Sequence, residues 1–398
     1  MFDDQRGTLH SLKDFPVTPR EILVSVNRKN VFRGLHQSPY AKFIYVIRGS
    51  IRDLFWNDAT GLSDRVLTRG QTLYIPANSA HGILALEDDS QFIYLLEGKF
   101  DPNVDRNIYW RTPEYGLPDL GPHIILSDKD RDALYANQYD YLVLGSSGYL
   151  GGHCVRHLRE AGRTVLESRA RLENPGDIAD EIRRSGAKYV ICAAGVSGRP
   201  TTEWSETHAN ETYKTNYLDV LNLAEVCRAA DVHLTIFGSG MVFTGQKSVY
   251  SEEDEPDLYS RVYSKWRCML EKHARGLSNV LYLRILYPCT FDDDPKCFRT
   301  KMMRRRGSVH DGQVSITSVP DLFPHIPELV EKKLTGVFNF VTDGLVTLKE
   351  LAQATEVVQG TGNYGLTTDK LGAYIPLIKT KDALKNRCAY SLPEVSDS

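Results

Sequence analysis

A chain of 398 residues, 41% hydrophobic and 25% charged with a formal net charge of -3, is long enough for about two or three globular domains of roughly 150 residues each. The near-balanced charge argues against a nucleic-acid-binding protein. No apolar run reaches the roughly 20 residues that a bilayer span needs, and the opening residues Met1 to Arg6 carry no apolar signal core, so a cytoplasmic protein that engages no membrane is expected.

The first third reads as strands. Residues 22–26, 43–47, 51–56, 71–75, 82–86 and 91–96 are short, rich in β-branched and aromatic side chains, and bounded by Gly, Pro, Asn or Asp. Six such segments imply a sandwich or a closed barrel, and Arg48-Gly49-Ser50 marks the clearest hairpin. His36 and His81 each sit beside a glycine at an expected strand end. A metal site of this barrel type would want a His-x-His pair, whereas the chain has Leu35-His36-Gln37-Ser38, so no metal is expected. Acid-base chemistry and a structural role both remain open for the two histidines. The polar stretch 127–132 marks the change of pattern, and we divide the chain into a first domain, 1–136, and a second, 137–398.

After that stretch, strands and helices alternate. The run 141–144 feeds the turn Gly145-Ser146-Ser147-Gly148-Tyr149-Leu150-Gly151, a glycine spacing that leaves backbone N–H groups and a helix N-terminus facing an anion. Helix-like sequence follows at 153–161, 178–185, 213–230 and 259–275, with strands expected at 163–167, 187–193, 233–238 and 280–286. This alternation implies a doubly wound parallel sheet with a dinucleotide at the glycine loop. Glu167 could serve an NAD ribose, but Arg169 and Arg171 beside it can fork onto a 2'-phosphate, so NADPH is favoured with NADH allowed. All seven cysteines follow the glycine loop, are odd in number and form no C-x-x-C, so reduced thiols are expected. The acidic runs 251–255 and 292–294 are expected as surface loops. The basic run of Lys301 with Arg304, Arg305 and Arg306 suits either a diphosphate or a solvated face.

Several stretches of the first third, Val31-Phe32-Arg33-Gly34-Leu35-His36, Ala41-Lys42, Gly49-Ser50-Ile51-Arg52-Asp53, Ala80-His81-Gly82, and Tyr94 ahead of Phe100-Asp101-Pro102, resemble in order the dTDP-4-dehydrorhamnose 3,5-epimerase family of cupin barrels. The resemblance implies His36 as base, Asp130 as its carboxylate partner, Lys42 as a cation near the C4 keto oxygen, and Tyr94 as the acid on the opposite face. It also implies Arg6 and Arg33 on the nucleotide diphosphate, His81 in the substrate site, and a homodimer through the barrel. Phe100 stands where the family has a second tyrosine, which leaves open whether one or two centres are epimerised.

In the second part, Ala193-Ala194-Gly195, Thr215-Asn216, Phe237-Gly238-Ser239-Gly240 and Tyr263-Ser264-Lys265 resemble extended short-chain dehydrogenases, nearest to the 4-keto-6-deoxy sugar nucleotide reductases. That resemblance implies cofactor contacts at Gly145, Gly148, Tyr149, Leu150, Gly151, Ala193, Ala194 and Gly195, a substrate contact at Asn216, Ser239 orienting the ketone, and Tyr263 as proton donor. The family's Tyr-x-x-x-Lys is altered, because Tyr263 plus four is Arg267; Lys265 at i+2 falls on another face of the helix. Arg267 is therefore the expected third member, and the tail from Gln359 is assigned no chemistry. The whole chain reads as a cupin-like all-β barrel followed by a Rossmann-type α/β domain. It is expected to epimerise and then reduce a nucleotide 4-keto-6-deoxyhexose; an epimerase or ketoisomerase with a non-catalytic binding module is the alternative.

Overall fold

The computed structural model describes residues 2–4, 7–9, 16–101, 103–197, 202–304, 309–310, 312–352, 357–358 and 363–385, with backbone alone at 2–4, 7–9, 309–310 and 357–358. Arg6, Arg305, Arg306 and Cys388 lie outside the described residues. The chain separates into two compact units, Met1–Gln138 and Tyr139–Ser398.

The first unit is built on β1 (Glu21–Asn27), β2 (Phe32–Gln37), β3 (Lys42–Arg48), β4 (Ser50–Asn57), β5 (Gly61–Thr68), β6 (Thr72–Ile75), β7 (Ala80–Ala85), β8 (Ser90–Leu96) and β9 (Arg106–Asn107). These form two antiparallel sheets, ordered β1-β8-β3-β6 and β9-β2-β7-β4-β5. Three strands, β2, β5 and β9, escaped the sequence reading: β5 is mostly polar, Gly34 interrupts the apolar pattern of β2, and β9 is only two residues long. His36 and His81, expected at strand ends, lie within β2 and β7 and pair directly across the ladder. Strand alternation explains an unusual placement in β3: Lys42, Ile44 and Val46 are all buried, and successive even positions share one face of a strand, so the chain puts a lysine in core register. Tyr94 of β8 pairs with Ile44, two residues along the ladder from Leu96 and Lys42 and so on the same face. The stretch 127–132 contains a one-turn helix, α1 (Asp128–Arg131), capped by Ser127.

The second unit carries a six-stranded parallel sheet of β10 (Tyr141–Leu144), β11 (Val165–Glu167), β12 (Tyr189–Cys192), β13 (His233–Phe237), β14 (Val280–Arg284) and β15 (Gly336–Asn339), in the order β11-β10-β12-β13-β14-β15. Four of its helices are α2 (Tyr149–Glu160), α3 (Pro175–Ser185), α4 (Asp219–Ala229) and α5 (Val262–Ala274). The connections leave β10 toward opposite sides, so the switch point of the sheet falls at the end of β10, where this architecture places its ligands. The single long helix expected over 213–230 is instead Ala209–Tyr213, a π-helical segment Lys214–Leu218 and then α4, and Asn216 sits in the π segment. Such π segments are frequent at functional sites because they re-aim side chains.

A buried ionic network ties α5 to the sheet. Arg284, at the end of β14, donates to Glu271 of α5 at 2.6 and 2.9 Å, and both are fully buried. Its remaining N–H groups donate to the carbonyls of Ser251 and Asp254 and to Asn339 Oδ1, and Arg275 adds a donation to Glu271 at 2.8 Å. This corrects the reading of 251–255 as a surface loop: Glu252 is buried and accepts the Asn339 N–H at 3.0 Å, and the loop's carbonyls wrap the guanidinium groups. Removing one partner of such a pair leaves an uncompensated buried charge. Arg284→Met should therefore destabilise the second unit by about 3–5 kcal/mol, read as a lower urea midpoint for its unfolding transition.

Candidate active sites

In the first unit a cavity of about 780 Å³ is lined by β1, β2, β8, Lys42 and α1, and His36, Lys42, Tyr94, Arg33 and Asp130 all reach it. His36 Nε2 lies 2.7 Å from Asp130 Oδ1, with the imidazole 27% exposed and the carboxylate 5%. Ser127 holds Asp130 at two points, donating its hydroxyl to the carboxylate Oδ2 at 2.8 Å and accepting the backbone N–H at 3.2 Å. The short helix thus presents one acid to one imidazole, which fixes the ring's tautomer and orientation.

Behind this pair stands another that sequence reasoning missed. His81 Nε2 is 2.6 Å from Asp53 Oδ1, and both are buried. Burial pushes the His81 pKa down in spite of the Asp53 carboxylate, so this imidazole stays neutral. His81 does not line the cavity as the substrate contact expected of it would; its ring meets Tyr94 edge-on at 6.3 Å. The Tyr94 pKa is raised by burial and then by the Asp53 charge, which keeps the phenol protonated and able to donate. Lys42 is lowered by burial, with Asp105 acting against that shift. Arg33 donates from Nε to Asn27 Oδ1 at 2.6 Å at the cavity wall. A base, a phenol and an ammonium facing one cavity are the groups needed to remove a proton beside a ketone, hold the resulting enolate and return a proton.

In the second unit the glycine turn follows β10 directly. Gly145 has φ +76°, and a Cβ there would meet Ala194 N at 2.6 Å. Gly148 caps α2, and a Cβ on Gly151 would run into the Gly145 carbonyl. Strand, turn, helix N-terminus and the 193–195 backbone therefore close on each other as a cradle that fits a dinucleotide pyrophosphate. Tyr149 donates to Thr290 Oγ1 at 3.1 Å, and Leu150 packs on the core below. Arg169 and Arg171 lie exposed beyond β11, while Glu167 pairs with Arg159 at 2.9 Å.

Asn216 clamps the loop after β12, accepting the Val196 N–H at 2.8 Å and donating to its carbonyl at 2.7 Å. Arg267 is buried at the same place: a Cβ on Gly195 would lie 2.9 Å from its Nη2 and 3.1 Å from Asn216 Oδ1. Its guanidinium stands over the Tyr263 ring, 5.6 Å from the centroid. Burial works against that charge, but the phenols of Tyr263 and Tyr282 outweigh it and raise the Arg267 pKa. Lys265 is exposed and lies over Trp266. Ser239 Oγ accepts the Met241 N–H at 3.1 Å, and the turn it occupies is pinned from the tail, where the Tyr364 hydroxyl accepts the N–H groups of Val242 and Phe243. The basic run is partly neutralised by the Arg304–Asp293 pair at 2.8 Å. Six cysteines are buried and free.

Residues 2–138 match the family profile of dTDP-4-dehydrorhamnose 3,5-epimerase and residues 141–280 that of the NAD dependent epimerase/dehydratase family. A bifunctional dTDP-4-dehydrorhamnose 3,5-epimerase/dTDP-4-dehydrorhamnose reductase of Arabidopsis thaliana is 31% identical over 232 residues, covering 56% of this chain and 77% of the plant protein. The chain belongs to this epimerase and reductase family. A trifunctional UDP-glucose 4,6-dehydratase/UDP-4-keto-6-deoxy-D-glucose 3,5-epimerase/UDP-4-keto-L-rhamnose-reductase of the same plant is also 31% identical, over 58% of this chain, which spans only 35% of the longer protein. The crystal structure of the L780 UDP-rhamnose synthase of Acanthamoeba polyphaga mimivirus shares the fold, with a TM-score of 0.57 and 24% identity over 63% of this chain and 98% of that one.

Against that family background the glycine cradle gives a direct test. Gly145→Ala would need a left-handed alanine and push a methyl into the Ala194 backbone. Titrated by nicotinamide fluorescence with NADH and with NADPH, the variant should lose dinucleotide binding by roughly 100-fold or more; unchanged affinity would place the cofactor elsewhere.

Proposed function

We propose that this chain is a bifunctional nucleotide-sugar enzyme that epimerises C3 and C5 of a dTDP- or UDP-4-keto-6-deoxyhexose and then reduces the C4 ketone to an L-rhamnose-type nucleotide sugar. The observation that carries the proposal is the meeting of His36 with its Asp130 partner, Lys42 and Tyr94 on one cavity, in a chain whose second unit sets Arg267 over Tyr263 beside a glycine cradle.

In the first unit His36 takes the proton from a carbon next to the ketone. The electron pair moves onto the C4 oxygen, where the Lys42 ammonium compensates the charge. Tyr94, kept protonated by its burial, returns a proton to the opposite face, and the centre is inverted. Arg33 at the cavity wall, with Arg6, would take the diphosphate. In the second unit Gly145, Gly148, Tyr149, Leu150 and Gly151 would hold the pyrophosphate, with Ala193, Ala194 and Gly195 alongside. Arg169 and Arg171 favour a 2'-phosphate and hence NADPH over NADH. When bound, the nicotinamide supplies the hydride to C4. Tyr263 gives the proton to the C4 oxygen, Ser239 orients that oxygen, Asn216 shapes the wall against the substrate, and Arg267 stabilises the charge left on Tyr263.

The two reactions suit one chain chemically, because epimerisation through an enolate yields a mixture from which reduction withdraws one isomer. The same reading makes the protein a homodimer through its barrel: edge strand β1 exposes Ile22, Val24 and Val26 at 59%, 65% and 56%, an apolar stripe that a second copy would cover. Six reduced thiols fit a cytoplasmic setting. No helix among the described residues is long and apolar enough to cross a membrane.

Two variants separate the halves. With a 4-keto substrate in D2O, His36→Ala should lose deuterium incorporation at C3 and C5 by roughly 100-fold or more, while Tyr263→Phe should retain it and lose NADPH oxidation by a similar factor. Label at C3 alone would mean a single epimerisation. NADPH oxidation undiminished in Tyr263→Phe would remove the second unit's assigned donor.

A further inference from the structure

The Lys42 ammonium is held in core register of β3, in an apolar wall where a charge without a counter-charge is disfavoured. Asp130 is engaged through both oxygens by His36 and Ser127, Asp53 is held by His81 through Oδ1, and of the acids in this unit it is Asp105 whose charge opposes the effect of burial on Lys42. Asp105, on the segment just before β9, is buried, lines the same cavity, and is the acid whose charge reaches Lys42. Its Oδ1 makes no close hydrogen bond among the described residues, and it acts on the phenol of Tyr40, whose ring lies 5.9 Å from Lys42 Nζ. The other titratable groups around the lysine are Tyr40, whose pKa is raised by burial and then by the Asp105 charge, His81, neutral through burial, and Tyr94, kept as a phenol.

We propose that Asp105 is a positioning residue of the first unit: buried at the cavity, it keeps Lys42 as an ammonium so that the cation is present when the enolate forms. The inference rests on the epimerase reading of the cavity and adds to it the group that maintains its charge. A carboxylate too close to the ketone would repel an enolate, so a useful acid here must act through the lysine rather than on the substrate.

The sign of the pH effect follows. Burial already draws the Lys42 pKa down and Asp105 opposes it, so Asp105→Asn lets it fall further, and the ammonium is lost at lower pH. On the full chain, exchange of the C3 and C5 hydrogens followed across pH should show the alkaline limb of the Asp105→Asn variant displaced to lower pH. Its rate should match wild type at the acid end of that limb and fall by roughly tenfold or more at the alkaline end. Asp105→Glu should restore the limb, which a merely structural acid would not do. Independently of turnover, the Lys42 side-chain NMR signal of the substrate-free protein should titrate at lower pH in Asp105→Asn than in wild type. An unchanged or higher Lys42 titration in a folded Asp105→Asn protein overturns the inference. If wild type itself exchanges no substrate hydrogen, the epimerase reading fails instead, and the lysine titration still decides what Asp105 does.

Discussion

In both units the site is made by a backbone approach that only glycine permits. Gly34 has φ +133°, and a Cβ there would stand 2.5 Å from the His81 carbonyl and 2.6 Å from Gly82 Cα; the approach brings β2 onto β7 and sets His36 opposite His81. Gly145 does the same between the end of β10 and the Ala194 backbone. A methyl at either point would separate two segments that each carry part of a site. These glycines lower the intrinsic stability of their strands and turns, a cost offset by the apolar cores around Phe92 in one unit and Leu281 in the other.

Buried charge is the second organising constraint. Lys42, Arg267 and Arg284 are all cations removed from water, and the structure treats each differently. Arg284 is fully engaged by Glu271, by carbonyls and by Asn339, so it acts as a structural tie. Arg267 instead has an unpartnered Nε among the described residues and faces Tyr263, a phenol whose ionised form it can stabilise. Arginine at i+4 keeps a charge on the same helix face as Tyr263, though a planar fork replaces the point charge of lysine. Of these two arginines, the fully satisfied one ties the scaffold and the under-satisfied one faces the assigned proton donor.

The fold was legible where periodicity was strong. The alternation of strand and helix after residue 140 led to the doubly wound sheet, and short β-branched runs led to the barrel-like first unit. What the sequence concealed depended on side chains meeting across the fold. Asp53 was visible as a residue, but its inward register beside His81 is a property of the ladder; Glu271 and Arg284 lie 13 residues apart on a helix and a strand, with nothing local to join them. The acidic run 251–255 misled because its carbonyls, not its side chains, meet the buried arginines. Likewise Tyr364, in a tail without a recognisable pattern, holds the turn that carries Ser239. Asn216 was recognisable by motif, while the π segment that aims it was not, because helix periodicity runs on through the insertion.

Inversion and reduction of the same sugar by one chain is the proposal that joins the two activities. Its most direct test is NMR analysis of the product formed by the wild-type protein alone from a nucleotide 4-keto-6-deoxyglucose with NADPH in D2O. The product expected is an L-rhamnose-type nucleotide sugar carrying deuterium at C3 and C5, formed in step with NADPH oxidised. A 6-deoxyhexose reduced at C4 but unlabelled at both carbons, or labelled 4-keto sugar with no NADPH consumed, would contradict it.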